Sequence, residues 1–317
     1  MKLHITMAAT AVAALATSAA VAADCGSFPE RPIEVVVPYG AGGAVDVSSR
    51  TLAEAVKAVA GWDLRVANRT GAGTVTGQDY LASQAPTDGY TIGVMPLMAA
   101  VLNDQDERNS LEPGSLEVVE TIAFDPWLFV AKKGETLESL TEKGKAGKLR
   151  YAFSPGSEQG LMGDKLQAKD GYEMARVPLS GGVNRLGGLL NGSVDIAPSF
   201  YGEAKQYFDG DVMVPIGFAN NVPYWADGSI PALGAEGYDF PTNVWGSYRV
   251  VLVPSAVPDD IKSCIADTMT EVMESEKGKE IFLEKTIRVD PVGHEAAKAK
   301  YGEFEAIVKD LLAAAKG

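Results

Sequence analysis

The stretch that most constrains this chain is Val35-Val36-Val37-Pro38-Tyr39-Gly40-Ala41-Gly42-Gly43-Ala44-Val45-Asp46. A β-branched run stops at Pro38, and three glycines follow within four residues. Apolar residues then recur at helical spacing (Val47, Leu52, Val56, Val59). A strand that passes through a glycine-rich turn into a helix aims backbone N–H groups at the crevice beyond the strand's carboxyl end. The same device returns at Thr70–Thr74 and at Ser180-Gly181-Gly182, so the pattern predicts two walls of one anion-binding cleft.

Taken in order, the periodicity predicts a strand over Ile33–Pro38, a helix over Val45–Ala60 and a strand over Leu64–Asn68. A helix over Val75–Gln84 and a strand over Tyr90–Met95 follow. This βαβαβ order implies parallel strands with right-handed crossovers, a doubly wound α/β unit. A polar segment, Asn103–Ser115, interrupts the pattern. A second unit opens with strand-like residues over Glu117–Ala131, then a helix near Leu137–Lys145 and strands over Leu149–Phe153, Met174–Leu179 and Val194–Ser199. Val212–Ala219 and Val244–Val253 read as further strands, the latter crossing between units. Helices near Asp259–Glu274, Lys277–Lys285 and Glu295–Ala315 are expected to return to the first unit.

The first residues differ from the rest. Lys2 and His4 precede an alanine-rich apolar run from Ile5 that closes with Ala20-Val21-Ala22-Ala23, the pattern of a secretory signal peptide over residues 1–23. Its removal takes away one lysine, and the formal charge of the 317-residue chain moves from −14 to −15. An acidic balance argues against nucleic acid as a partner. It leaves room for an anionic ligand, because a cleft of amide dipoles makes its own local field. Cys25 and Cys264 are the only cysteines. In an oxidising compartment they suggest one disulfide, with two free thiols as the alternative.

Chemistry-bearing patterns are few. Gly71-Ala72-Gly73-Thr74-Val75-Thr76-Gly77 approaches a dinucleotide fingerprint, but its third glycine is displaced by one position. His294 is the only histidine after the signal and stands beside no serine or cysteine. Ser157 lacks the glycine spacing of a nucleophile elbow, and no cluster has metal-ligand spacing. No enzyme activity and no cofactor are expected. Asp46 is read either as a first-turn acid on the helix dipole or as a ligand contact. Tyr39 and Trp245, beside glycines, are candidates to cover a small ligand, whereas Trp62, Trp127 and Trp225 read as packing residues. Arg249 suits either a ligand carboxylate or an interdomain ion pair.

The pieces together resemble one family. Phe28-Pro29-Glu30-Arg31-Pro32-Ile33 with Val36 to Asp46 is similar to the opening of the tripartite tricarboxylate transporter substrate-binding proteins, the Bug (TctC-like) family. Asn68-Arg69-Thr70-Gly71-Ala72-Gly73, Ala85-Pro86-Thr87-Asp88-Gly89-Tyr90-Thr91 and Val177-Pro178-Leu179-Ser180-Gly181-Gly182 through Leu189–Asp195 match its further signatures. The resemblance implies a periplasmic-binding-protein-like (type II) fold with two doubly wound α/β lobes and a hinge. The expected lobes are 24–122 plus 252–317 and 123–251. Backbone amides and small side chains are expected to hold a ligand carboxylate. Carried across, the site comprises Tyr39, Ala41, Gly42, Gly43, Ala44 and Asp46, then Gly73 and Thr74, then Ser154, Gly156, Ser157, Ser180, Gly181 and Gly182. Leu179 stands where the family often has an aromatic residue and Ser180 where lysine is common. Asn220-Asn221-Val222-Pro223 also departs from the family pattern.

The sequence thus reads as a periplasmic solute-binding monomer. It captures a small organic anion and delivers it to the membrane permease subunits of a tripartite transporter. An exported enzyme or nucleotide-binding protein, or a sensor presenting its ligand to a receptor kinase, are the alternatives. Gly42→Val and Gly43→Val are expected to abolish binding while leaving the fold largely intact; calorimetry showing unaltered affinity in both variants would refute this placement of the cleft.

Overall fold

Ile33, Val35, Val36 and Val37 lose essentially all contact with solvent, and a run buried on both faces belongs at the centre of a parallel sheet. β1 (Ile33–Val37) lies between β2 (Leu64–Asn68) and β3 (Thr91–Pro96), parallel to both. The computed structural model describes residues 25–105, 111–155, 157–241 and 244–316, with side chains as far as Lys309. The expected signal peptide and the candidate Gly156 lie outside the described residues. Two long strands extend the first sheet: β4 (Leu116–Pro126) and β10 (Gly246–Pro254), giving the order β2-β1-β3-β10-β4. β10 runs antiparallel to both neighbours, a pairing between distant segments that local periodicity cannot reveal.

The second sheet has the order β7-β6-β8-β5-β9. Its strands are β5 (Leu128–Lys132), β6 (Arg150–Phe153), β7 (Ala175–Pro178), β8 (Ile196–Ser199) and β9 (Met213–Phe218). β6 pairs in parallel with β7 and β8, while β5 runs antiparallel to β8 and β9. The helices are α1 (Ala44–Val59), α2 (Val75–Asp79, continued by a π-helical turn Tyr80–Gln84), α3 (Leu97–Gln105) and α4 (Leu137–Lys145). They continue with α5 (Gln159–Ala168), α6 (Gly182–Asn191), α7 (Tyr201–Asp209), α8 (Asp259–Glu274), α9 (Glu276–Glu284) and α10 (His294–Lys316). Two of these escape the sequence reading. α3 begins directly after Pro96 with the continuous apolar run Leu97–Leu102, and α7 begins two residues after Ser199, the end of β8.

Each sheet is covered on both faces. One face of the first sheet packs Leu52 and Val56 of α1 with Ile265 and Met269 of α8 and Phe282 of α9. The other packs Leu97 and Val101 of α3 with Ala297, Phe304 and Val308 of α10. The late helices therefore do return to the first unit. Glu120, fully buried on β4, anchors that return. Its carboxylate accepts from the N–H groups of Thr121, Val292 and Gly293 at 2.7–3.2 Å and from the Thr270 hydroxyl. Among the described residues no helix is long and apolar enough to cross a membrane.

Cys25 and Cys264 are bonded to one another, their Cα atoms 5.3 Å apart across a sequence separation of 239. This ties the segment before β1 to α8. A loop that long carries a chain-entropy contribution of about 5 kcal/mol, with measured bridges nearer 2–4 kcal/mol. The double variant Cys25→Ser with Cys264→Ser is expected to lose about 2–5 kcal/mol in denaturant unfolding while keeping its ligand affinity. Unchanged stability would mean that α8 holds the N-terminal segment without the bridge.

Candidate ligand-binding site

In the first unit the turn between β1 and α1 is held by a single side chain. Asp46 is 2% exposed. Its carboxylate accepts from the Gly42 N–H at 2.8 Å, from Arg50 Nε at 3.0 Å and from Asn68 Nδ2 at 2.9 Å. Asn68 also donates to the Tyr39 carbonyl at 2.9 Å, locking the ends of β1 and β2 together. Burial pushes the Asp46 carboxyl up, but the donors from Arg50, Gly42 and Asn68 outweigh it and hold the group below the usual carboxylate range. Asp46 thus spends its oxygens on the loop itself.

The two glycines differ. Gly42 adopts φ +80°, where a side chain is strained, while Gly43 has φ −76°. The Gly42 N–H is taken by Asp46, and the Gly43 N–H reaches the Gly40 carbonyl at 3.3 Å. α1 has no side-chain N-cap. Its first intrahelical bond runs from the Val47 N–H to the Gly43 carbonyl. The N–H groups of Ala44, Val45 and Asp46 are therefore the unpaired donors of the helix start.

The turn after β2 runs through positive φ, which glycine adopts freely but Ala72 and Thr74 do not. Gly71, Ala72, Gly73 and Thr74 have φ of +141°, +45°, +65° and +94° in succession. A β-branched residue at positive φ costs free energy and persists only where its surroundings impose it. Here Asn103 Nδ2 donates to Thr74 Oγ1 at 2.8 Å and the Thr74 N–H bonds the Gly71 carbonyl. Gly77, the displaced third glycine, serves packing. A Cβ there would stand 2.6 Å from the Arg69 carbonyl oxygen and 2.8 Å from the Pro38 Cβ.

The second unit repeats the device with different fittings. The turn after β6 is folded on itself: Gln159 Oε1 accepts from the Ser154 N–H at 2.8 Å, and the Ser157 hydroxyl donates to the Ser154 carbonyl at 2.7 Å. Arg185 on α6, 3% exposed, donates to the Pro198 carbonyl and to Ser154 Oγ at 2.8 and 2.9 Å. The buried arginine so joins the turns after β6 and β8. Burial pulls the Arg185 guanidinium down from its ordinary range, and the charges of Glu203 and Glu158 work against that. α6 starts at Gly182 with Gly181 as an uncapped N-cap at φ +85°. Ser180 is exposed, and its carbonyl accepts from Asn184 Nδ2.

The two units meet where the chain crosses between them. The Trp127 N–H bonds the Trp245 carbonyl at 3.0 Å, so the outgoing and returning crossings hold each other. Trp245 is 3% exposed against Phe240. It is a core residue rather than the ligand cover that its glycine neighbour suggested. Arg249 forms an ion pair, but within the first sheet and not between units: it pairs with Asp125 on the neighbouring strand, and Tyr224 donates its hydroxyl to the same carboxylate at 3.1 Å. Trp127 packs as expected, stacked on Phe200 at 4.0 Å, and also donates its Nε1–H to Glu158 Oε1 at 2.7 Å. Burial first, and then the charge of Glu158, raises the Tyr39 hydroxyl above its ordinary range.

Sequence reasoning passed over Asn68, Glu158 and Arg185 as individual residues. Arg185 shares a helix face with Leu186 and Leu189, both buried, and an arginine on an apolar face is the one signal that marked it. A shallow hollow lined by Phe28, Glu30, Arg31, Trp62 and Asp63 lies at the amino ends of β1 and β2, away from these turns.

A profile described as the tripartite tricarboxylate transporter family receptor matches residues 48–300. The chain belongs to this family. It is a family of binding receptors rather than of enzymes. Protein BugT of Bordetella pertussis is 29% identical over 201 residues, 59% of this chain and 61% of its own. The chain spans about three fifths of the length of the curated relatives it matches. Among solved structures, the periplasmic binding protein BugD superposes with a TM-score of 0.77 at 22% identity, covering 91% of this chain and 99% of BugD. MatC from Rhodopseudomonas palustris with bound malate gives 0.70 at 19% identity, covering 89% and 100%. The receptor therefore has the fold of the periplasmic binding proteins, two α/β sheets with helices on both faces.

Because Asp46 is favoured ionised in the folded receptor, its contribution is complete above the unfolded carboxylate pKa, about 3.9, and is lost as pH falls through its lower folded value. Asp46→Asn is expected to cost about 1–3 kcal/mol at pH 7 and to flatten the acid limb of the stability profile. Urea unfolding between pH 7 and pH 3 checks this, and parallel profiles for the two proteins would contradict it.

Proposed function

We propose that this receptor captures a small organic carboxylate between two lobes and hands it to the permease subunits of a tripartite transporter. One observation carries the reading: α1 and α6, in different sheets' turns, both begin at glycine N-caps without a side-chain cap. By contrast α4 and α9 are capped by Thr136 and Ser275. An uncapped helix start is a ready site for an anion, since its N–H groups and dipole favour negative charge without a lysine or arginine. Malate bound to the structural neighbour MatC supports the same ligand class.

A hydrogen bond to a charged group contributes about 1.5–3 kcal/mol, whereas micromolar capture needs about 8 kcal/mol. One turn falls short, and both lobes must contribute. Our assignment has the Ala44 N–H donate to the carboxylate, with Ala41, Gly42 and Gly43 leaving room for it by their small size and Tyr39, Gly73 and Thr74 beside it. Ser154, Ser157, Ser180, Gly181 and Gly182 close from the other side. Asp46 acts one step back, positioning the first turn. The lobes are 24–122 with 252–317, and 123–251; the ends of β4 and β10 form the strap between them, and closure shifts an existing open–closed equilibrium. Export by the residues 1–23 signal and action as a monomer complete the proposal.

A thermal-shift screen of mono-, di- and tricarboxylates tests it. At a hundredfold excess over its dissociation constant the right ligand stabilises by about 2.7 kcal/mol. A chain that no carboxylate stabilises would end the proposal.

A further inference from the structure

The second sheet changes direction beside β6. From β6 the chain goes to β7 on one side and then crosses to β8 on the other. The three run in parallel, with Phe153 opposite Pro178 and Tyr151 opposite Ile196, so their carboxyl ends lie together. Such a reversal opens a crevice between the two inner strands, here β6 and β8, and open α/β sheets take their ligands there. One side chain spans that point. Arg185 donates from Nε to the Pro198 carbonyl on β8 at 2.8 Å, and from Nη1 to Oγ of Ser154, the first residue after β6, at 2.9 Å.

A buried arginine at this place calls for a reason. Arg185 is 3% exposed, on the helix face that carries Leu186 and Leu189, and the Trp127 ring centroid lies 5.5 Å from its Cζ. Glu203 and Glu158 act on it by charge, but among the described residues no carboxylate is ion-paired with it. A buried charge without a counter-charge is unfavourable, and an anion arriving nearby relieves it.

The bond to Ser154 has a direction. A guanidinium only donates, so the Ser154 oxygen is the acceptor and its own proton points elsewhere. Among the described residues no acceptor takes that proton, and Ser154 is half-buried rather than sealed. Ser157 is the opposite case, because its hydroxyl already donates to the Ser154 carbonyl at 2.7 Å. The Ser154 N–H is taken as well, by Gln159 Oε1. The hydroxyl is thus the donor that Ser154 has left, and a cation behind it polarises it further.

We infer that Arg185 is a positioning residue of the second-lobe wall: it turns the Ser154 hydroxyl outward as a hydrogen-bond donor to an anionic guest. The inference rests on the carboxylate-capture reading. It gives the two residues different tasks, Ser154 meeting the guest and Arg185 acting through it.

Isothermal calorimetry with acetate, succinate, malate, adipate and citrate selects the probe, and the tightest binder of the wild-type receptor is carried through a double-mutant cycle. Ser154→Ala and Arg185→Met are each expected to weaken its binding about tenfold or more. The double variant is expected to bind within about threefold of Ser154→Ala alone, since an arginine that acts through the hydroxyl then has nothing to position. Methionine is long enough to fill the apolar face, and urea unfolding of the unliganded proteins reports the fold separately from affinity. A double variant that adds the full Arg185→Met loss to that of Ser154→Ala overturns the inference, because a general loosening of the second sheet adds in either background. Ser154→Ala binding as tightly as the wild type overturns it too, and that single variant decides the matter if Arg185→Met does not fold. A wild-type receptor that binds none of the five acids is a different failure, which ends the carboxylate reading and this inference with it.

Discussion

Everything in this architecture hangs on two strands that run side by side in opposite directions. β4 carries the chain out of the first sheet and β10 brings it back, paired along nearly their whole length. At the far end Trp127 and Trp245 bond across the crossings, and Arg249 with Asp125 and Tyr224 fills the space beneath. Arg249 is 2% exposed, and burial pushes its guanidinium down to about 10, which still leaves it charged at neutral pH. A buried charge of this kind is tolerable only beside its counter-charge, since removing one partner strands the other. The crossing is therefore a paired strap that joins the two sheets.

The turns themselves work by a division of labour between backbone and side chains. Charged groups near them are turned inward, onto the protein. Asp46 braces the first turn, Arg185 braces the second, and Gln159 closes the turn after β6. The donors left over at these turns are chiefly amides at helix starts, fixed in direction by the helices behind them. Preorganised dipoles need no reorganisation when an anion arrives, and so lose less free energy on binding than mobile lysines would. Ala72 and Thr74 are held at positive φ in the turn after β2, which implies surroundings that over-determine them.

Much of this was legible in the residues themselves. The run Val35–Val37, buried on both sides, announced a central parallel strand. The glycines after Pro38 and before Val183 marked strand-to-helix turns, and α4 and α8 begin and end where their periodicity said. Local signals of this kind suffice because strand burial and helix spacing are written in neighbouring residues. α3 and α7 escaped although Pro96 and Pro198 stand at the ends of the strands before them; Leu97–Leu102 is a continuous apolar run, which carries no period. The third glycine of the supposed fingerprint was misleading for a similar reason: a close approach between α2 and β1 asks for the same residue as a phosphate loop does.

The sequence by itself determined that the chain builds α/β units with glycine-led turns at strand ends, that it carries none of the usual catalytic or metal-binding patterns, and which family it resembles. Only the tertiary structure decided that β10 runs antiparallel between β3 and β4, that Trp245 is core, that Asp46 serves its own loop and that Trp127 donates to Glu158. Each of those depends on residues far apart along the chain being brought within a few ångströms, and the strength of a hydrogen bond or a buried charge is set by such neighbours and not by the residue's own identity.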